Sequence, residues 1–287
     1  MTRWAVIYNP VAGAYRARAL ERLERALREE GIEGLFLATE RRGHGTELAR
    51  QISGVDAVAV YGGDGSLNEV ANGLIGRNLP LAFLPGGTAN VMAHELGLPL
   101  DPARAARLLA RGKPRLIRPG KLGSRYFLLM AGFGFDGDAV RRVTPALKER
   151  LGKVAYVLAG LQALLARTPP ITAQPEGSRP PRQGVWVVAA RARRYGGAFT
   201  IHPRAGLTHD ALGLAVIGGL GVIPFLLGNL GLGLPWAGPR TWLEQCASLR
   251  VECSVPIHVQ LDGDYFGSGN HFEAGLADET LPLCFPP

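Results

Sequence analysis

The chain has 287 residues, 47% of them hydrophobic, with a formal net charge of +8 and a pI near 9.8. That is enough apolar sequence for a full core in one large domain or two of ordinary size, and the charge suits an anionic partner. Scattered arginines, with no long basic run and no interleaving of basic and aromatic residues, speak against a nucleic-acid groove. Cys246, Cys253 and Cys284 follow no CxxC pattern and have no His at metal spacing, so neither a zinc site nor a disulfide framework is indicated, and a reducing cytoplasm fits.

The chain enters a strand-like run at once, MTRWAVIYNP, with no secretory signal expected. Short apolar runs at Trp4 to Tyr8, Leu35 to Ala38, Ala57 to Tyr61 and Leu81 to Leu84 predict strands covered on both faces. Between them, Leu20, Leu23 and Leu27, then Leu48, Ala49 and Ile52, then Leu67, Val70, Ala71 and Leu74 recur at helical spacing. This alternation is that of βαβ units and a parallel sheet.

Beyond Pro119 the texture turns β-rich, in RYFLLMAGFGF, VWVVAARARRY, LRVEC and IHVQLDG, and predicts a second, mainly antiparallel domain. A helical stretch from Ala139 to Ala166 interrupts it, and the prolines of PPITAQPEGSRPPRQG predict an exposed loop. The charge-free stretch between Asp210 and Arg240 is long enough to suggest a membrane span, but its glycines and prolines predict instead a strand at Leu212 to Ile217 and a short apolar helix.

Chemistry concentrates in AVAVYGGDGSLNEVANGL, a buried strand running into a glycine turn and a helix. Gly62, Gly63 and Gly65 permit positive φ and leave room for phosphate oxygens near backbone N–H groups; the plainer alternative is a tight turn with Ser66 as the helix cap. Asp64 would repel phosphate, so its presence there points to magnesium or to a proton acceptor. A second strand, turn and helix follow in LPLAFLPGGTANVMAHELGLP, with Gly86, Gly87 and Thr88. Adjacent parallel strands bring such loops to one sheet edge, together with YNPVAG, holding Asn9 and Gly13, and ATERRGHG, holding Thr39, Arg41, Arg42 and His44. Singly, Asn9-Pro10 reads as a turn and Arg41-Arg42 as a solvated pair.

This set of motifs resembles the diacylglycerol kinase catalytic domain family, which includes sphingosine and ceramide kinases and bacterial YegS-like lipid kinases. The likeness runs from Ile7 to Gly267 through YNPVAG, TERRGHGTELA, GGDGSLNEVANGL, LPGGTANVMAHELGLP, GFGFDGDAV, RYGGAFTIHPRAGLTHDALGLAVIG and LDGDYFG. The resemblance implies an α/β fold: an N-terminal three-layer α/β domain like that of NAD kinase and phosphofructokinase over residues 1–119, a C-terminal β-sandwich over 120–269, residues 270–287 rejoining the first domain, and ATP with Mg²⁺ between the two.

It further implies nucleotide binding by Asn9, Thr39, Arg42, Gly62, Gly63, Gly65, Glu69, Gly87 and Thr88, and a general base in Asp64. LDGDYFG resembles the family's DGE motif, so Asp262 and Asp264 are candidates for catalysis and for Mg²⁺, with Asp264 one methylene shorter than the usual glutamate; alone, Asp262-Gly263 is a hairpin turn. Which of Asp64 and the Asp262/Asp264 pair is the base stays open. Asp136 and Asp138 fall where sphingoid kinases hold the lipid head group, and equally suit a helix N-terminus. Lys148 and Arg150 could reach phosphate or face solvent.

The expected activity is transfer of the γ-phosphate of ATP to a lipid hydroxyl, on diacylglycerol or a related bacterial lipid, with a sphingoid base or ceramide as alternative substrates and an NAD-type kinase as a more distant one. The expected partners are the lipid at a membrane surface and anionic phospholipid, with no nucleic acid. Peripheral attachment to the inner face of the membrane follows from the charge and from an apolar segment near Ile223 to Leu234, and a homodimer is an open assembly.

Overall fold

A computed structural model describes residues 2–10, 17–142, 169–177, 180–197, 199–229 and 240–287. The chain divides into two compact units, Met1–Arg118 with Asp278–Pro287, and Pro119–Ala277.

The first unit is built on a six-stranded sheet. In chain order it contains β1 (Thr2–Tyr8), α1 (Ala17–Glu29), β2 (Ile32–Ala38), α2 (His44–Gln51), β3 (Ala57–Gly62), α3 (Asp64–Leu74), β4 (Leu81–Pro85), α4 (Val91–Leu96), α5 (Pro102–Ala110) and β5 (Lys113–Ile117). The C-terminal β18 (Leu281–Phe285) inserts between β4 and β5, in the order β2-β1-β3-β4-β18-β5. The strands from β2 to β18 are parallel, and β5 alone runs against its neighbour.

β3 and β4 are buried at every position, as their uninterrupted apolar runs require of strands covered on both faces. Local signals set the helix ends: Asp101 caps α5 by accepting the Arg104 N–H at 2.9 Å ahead of Pro102, and Gly97 closes α4 at φ 67°. The order reverses around β1, so the right-handed crossovers send helices to opposite faces. In keeping with that, α1 pairs with α5 through Arg107–Glu29 and Arg111–Glu30, while α2 packs on α3.

The second unit is an antiparallel assembly of β6 (Gly120–Leu122), β7 (Arg125–Phe127), β8 (Met130–Gly134), β9 (Ile171–Pro175), β10 (Arg182–Gly184), β11 (Trp186–Ala190), β14 (Leu212–Ile217), β15 (Thr241–Cys246), β16 (Ser248–Leu261) and β17 (Asp264–Leu276). A small ribbon, β12 (Arg194–Tyr195) with β13 (Phe199–Thr200), stands apart. β16 pairs with β9 through Leu249–Cys253 and, past an irregularity after Glu252, with β8 through Val259–Leu261. Side chains from both stretches share one buried cluster with β11 and β14, including Phe133, Val187, Leu214, Val251 and Val259. α6 (Phe135–Arg142) follows β8, and α7 (Val222–Asn229) follows β14.

Two expectations are corrected. ITAQP and RQG, read as parts of an exposed proline loop, form the β9–β10 hairpin; Ile171, Ala173 and Pro175 alternate inward, and pairing with β16 outweighs the flanking prolines. Residues 270–277 stay in the second unit because β17 runs unbroken to Leu276 opposite Ser248–Glu252, and the chain re-enters the first unit at Asp278. The strand at Leu212–Ile217 and the short apolar helix after it are present, and among the described residues no helix is long and apolar enough to cross a membrane. The expected helix beyond Arg142, with Lys148 and Arg150, lies outside the described residues.

α2 and α3 meet where Gly73 leaves no room: a Cβ there would stand 2.6 Å from Ala49 Cβ and 2.6 Å from the Thr46 carbonyl. Gly73→Ala should therefore lower stability by about 1–3 kcal/mol through overpacking, against a gain of about 1 kcal/mol in helix propensity, and show as a lower Tm in a thermal melt.

Candidate functional site

The C-terminal ends of the parallel strands lie in step. The Thr39 N–H donates to the Tyr8 carbonyl at 2.8 Å, Asn9 to Tyr61 at 3.3 Å and Gly86 to Gly62 at 2.7 Å. Asn9, Thr39, Gly62 and Gly86 thus mark one edge, beside the reversal at β1 where open α/β sheets bind ligands.

Two glycine turns press together at that edge. A Cβ on Gly87 would stand 2.5 Å from Gly63 Cα, which leaves no room for a side chain at Gly87, and one on Gly63 would be tight at 3.3 Å from Gly87 Cα. Asp64 completes the joint: its carboxylate accepts the Val91 and Met92 N–H groups, each at 3.0 Å, and so caps α4 from the first turn of α3. Asn90, at φ 49°, closes the second turn by accepting the Gly87 N–H and donating to the Gly87 carbonyl, both at 2.9 Å. Burial pushes the Asp64 carboxyl above the usual range, against the lowering pull of the Met92 and Val91 N–H groups.

The expected reason for the first glycines is corrected. None of Gly62, Gly63 or Gly65 takes a positive φ; Gly63 is extended, and the helix starts at Asp64 with Gly63 as its N-cap, not at Ser66. A Cβ on Gly62 would stand 2.9 Å from Ser66 Cβ and one on Gly63 3.3 Å from Gly87 Cα, so these two serve close approach and not left-handed turns. Thr88 sits half-buried in the second turn, and Arg42 is exposed in the β2–α2 loop. Both oxygens of Glu69 are engaged within the protein, by the Gly43 N–H at 2.9 Å and the Gly45 N–H at 3.3 Å.

The acids of the second unit are likewise engaged. Asp262 opens the β16–β17 turn at φ 51° with Gly263 at φ 87°, the two left-handed residues of a tight hairpin. Its side chain is 7% exposed and accepts N–H groups from Leu128 at 2.7 Å, Leu129 at 2.8 Å and Met130 at 2.8 Å. Asp262 is therefore a clasp on the entry to β8. Its two oxygens carry three donors, and among the described residues no group of three His, Cys, Asp or Glu side chains could hold a metal.

Asp136 is 1% exposed and accepts from the Tyr195 hydroxyl at 2.5 Å and the Gln260 amide at 2.6 Å, while Gln260 accepts the Gly263 N–H at 2.7 Å. One polar chain thus joins the GFGFDGD helix to the DGD turn. Burial pushes the Asp136 carboxyl up, against Tyr195 and Gln260. Asp138 is nearer the surface, 3.8 Å from His258, whose other ring nitrogen meets the Tyr265 hydroxyl at 2.9 Å. Asn90, Tyr195 and Gln260 carry these joints without a signal that sets them apart in the sequence, although GGTAN does show Asn90 behind its glycines.

A model of the diacylglycerol kinase catalytic domain matches residues 3–122. A diacylglycerol kinase of Bacillus subtilis (strain 168) is 28% identical over 280 residues, covering 93% of this chain and 91% of that protein. A Klebsiella pneumoniae (strain 342) protein named as a probable YegS-like lipid kinase is 33% identical over 269 residues, covering 91% and 89%. The crystal structure of a diacylglycerol kinase from Bacillus anthracis str. Sterne superposes with a TM-score of 0.81 over 99% of this chain and 97% of that one at 23% identity, which shows a shared fold. The chain belongs to the diacylglycerol kinase catalytic domain family of lipid kinases. It is an enzyme of the ATP-dependent kinase class.

Asp64→Asn should cost about 1–3 kcal/mol, because the amide turns an NH₂ toward a backbone N–H that loses its acceptor. A urea melt would show it, and an unchanged midpoint would mean that the clasp contributes nothing. Asp136 has a folded pKa above its unfolded one, so its contribution to stability is complete below the ordinary aspartate range and is lost as pH rises through the raised value. Urea melts of wild type and Asp136→Asn should accordingly differ by an amount that changes with pH in that window, wild type gaining relative to the variant as pH falls.

Proposed function

We propose that the protein transfers the γ-phosphate of ATP to the hydroxyl of diacylglycerol at a membrane surface. The observation that carries this reading is the pair of glycine turns joined by Asp64 at the strand ends, in a chain of the lipid-kinase family. Two glycine turns let backbone approach a polyphosphate closely, and Arg42 in the neighbouring loop supplies a fixed positive charge. Magnesium would come with the nucleotide, held mainly by phosphate and water.

Asp64 is the proposed general base. Its two oxygens accept the Val91 and Met92 N–H groups, one each, and burial raises its proton affinity above that of an ordinary aspartate. The lipid hydroxyl forms the new O–P bond, its proton passes to the Asp64 carboxylate, and the bond from the γ-phosphorus to the bridging oxygen breaks to release ADP. Asp262, engaged by three N–H groups, holds structure instead of taking the proton.

Diacylglycerol is favoured over sphingoid bases, ceramide and NAD because a relative matched over 93% of this chain is named a diacylglycerol kinase. Incubation with labelled ATP and each of these acceptors tests it: label should enter diacylglycerol, and label in NAD alone would overturn the lipid reading. In the same assay Gly87→Ala should raise the KM for ATP by about tenfold or more, because the new methyl group forces the two turns apart.

Attachment to the membrane is proposed to be peripheral, with basic residues contributing up to about 1 kcal/mol each near anionic lipid. On α7, Ile223 is 54% exposed, whereas Phe225 is 2% exposed and stacks edge-on against Trp186 at 5.5 Å. Ile223→Ser should reduce sedimentation with anionic vesicles without changing the melting temperature, and Phe225→Ser should lower that temperature. Vesicle binding unaltered by Ile223→Ser would move the docking surface elsewhere.

A further inference from the structure

The nucleotide role carried to Glu69 by family resemblance does not account for what its carboxylate holds. The N-cap of α2 is Gly43, whose φ is 83° and which has no side chain to cap the helix. The missing cap comes from another helix: Glu69 on α3 accepts the Gly43 and Gly45 N–H groups, one with each oxygen. A carboxylate there also meets the positive end of the α2 dipole. A second tie runs the other way, from the Thr46 hydroxyl to the Glu69 carbonyl at 2.7 Å.

The loop held by this cap is closed on itself. His44 N–H donates to the Arg41 carbonyl at 3.2 Å, the Glu40 N–H to the His44 ring at 3.1 Å, and Arg41 pairs with Glu47 at 2.5 Å. Its far end is pinned by the Thr39 N–H on Tyr8. Arg42 therefore sits in a loop with two anchors, strand β1 at one end and Glu69 at the other. Glu69 as a direct phosphate neighbour would repel its ligand.

We propose that Glu69 is a positioning residue, which caps α2 from across the helix pair and so fixes the loop bearing Thr39 and Arg42 at the strand-end edge where the nucleotide phosphates bind. The proposal rests on the kinase reading for the identity of the ligand alone.

Hydrogen exchange and kinetics on Glu69→Gln test it together. The amide can accept at one oxygen only, so exchange at the Gly43 and Gly45 amides should accelerate. The KM for ATP should rise about tenfold with kcat within about twofold, the pattern of lost ground-state positioning. The factor should be the same for ATP, 2′-deoxy-ATP and GTP, since a displaced arginine affects the phosphates common to all three. Thr46→Val, which leaves the carboxylate in place, should change both readouts in the same direction by less, and it serves if Glu69→Gln fails to fold.

A KM change that depends on base or sugar, with wild-type exchange, would make Glu69 a direct ligand and overturn the proposal. So would faster exchange with unchanged nucleotide affinity, the mark of a merely structural cap. If the wild type binds ATP by calorimetry but labels no lipid, only the substrate reading fails, and the calorimetric Kd replaces KM in the same comparison.

Discussion

The carboxylate of Asp64 joins two turns separated by 27 residues of chain, and the candidate site depends on that joint. Without it the first N–H groups of α4 would face a neighbouring turn with no acceptor, at a partly buried position where such groups are costly. With it, the two turns meet so closely that Gly87 has no room for a Cβ beside Gly63. The same residue type that looks wrong in a phosphate-cradling loop becomes intelligible as the piece that builds the loop.

The pattern repeats across the molecule. Glu69 holds the start of α2, Asp262 holds the entry to β8, and Asp136 is locked between Tyr195 and Gln260. In each case an acid at a motif position is engaged by donors from a segment distant in sequence. Charge-assisted bonds to backbone N–H groups are well suited to this, being short, directional and stronger than neutral ones. They also shift proton affinity: at Asp64 and Asp136 burial prevails over the donors and raises it.

Burial also separates candidates that look alike on paper. Phe225 and Ile223 are neighbours in an apolar helix, yet one packs under Trp186 and the other faces outward. Likewise Asp136 and Asp138, two acids in one motif, differ because the first points under the sheet and the second toward His258 near the surface.

Much of the fold was legible because its causes are local or periodic. The four N-terminal strands, the helices between them, the turn at Asp262-Gly263 and the strand and short helix after Leu212 follow from apolar spacing and from glycine and proline. The edge that gathers Asn9, Thr39, Gly62 and Gly86 follows from parallel pairing itself. What the sequence could not determine was set by contacts between distant residues. The β9 strand forms through its pairing with β16, against its own prolines. Gly63 is extended, and what constrains it is the approach of Gly87, which no local pattern reveals. Composition and spacing determined which residues are acidic and which turns are bare; only tertiary structure decided where each carboxylate finds its donors, because hydrogen-bond partners depend on position in space and not on order in the chain.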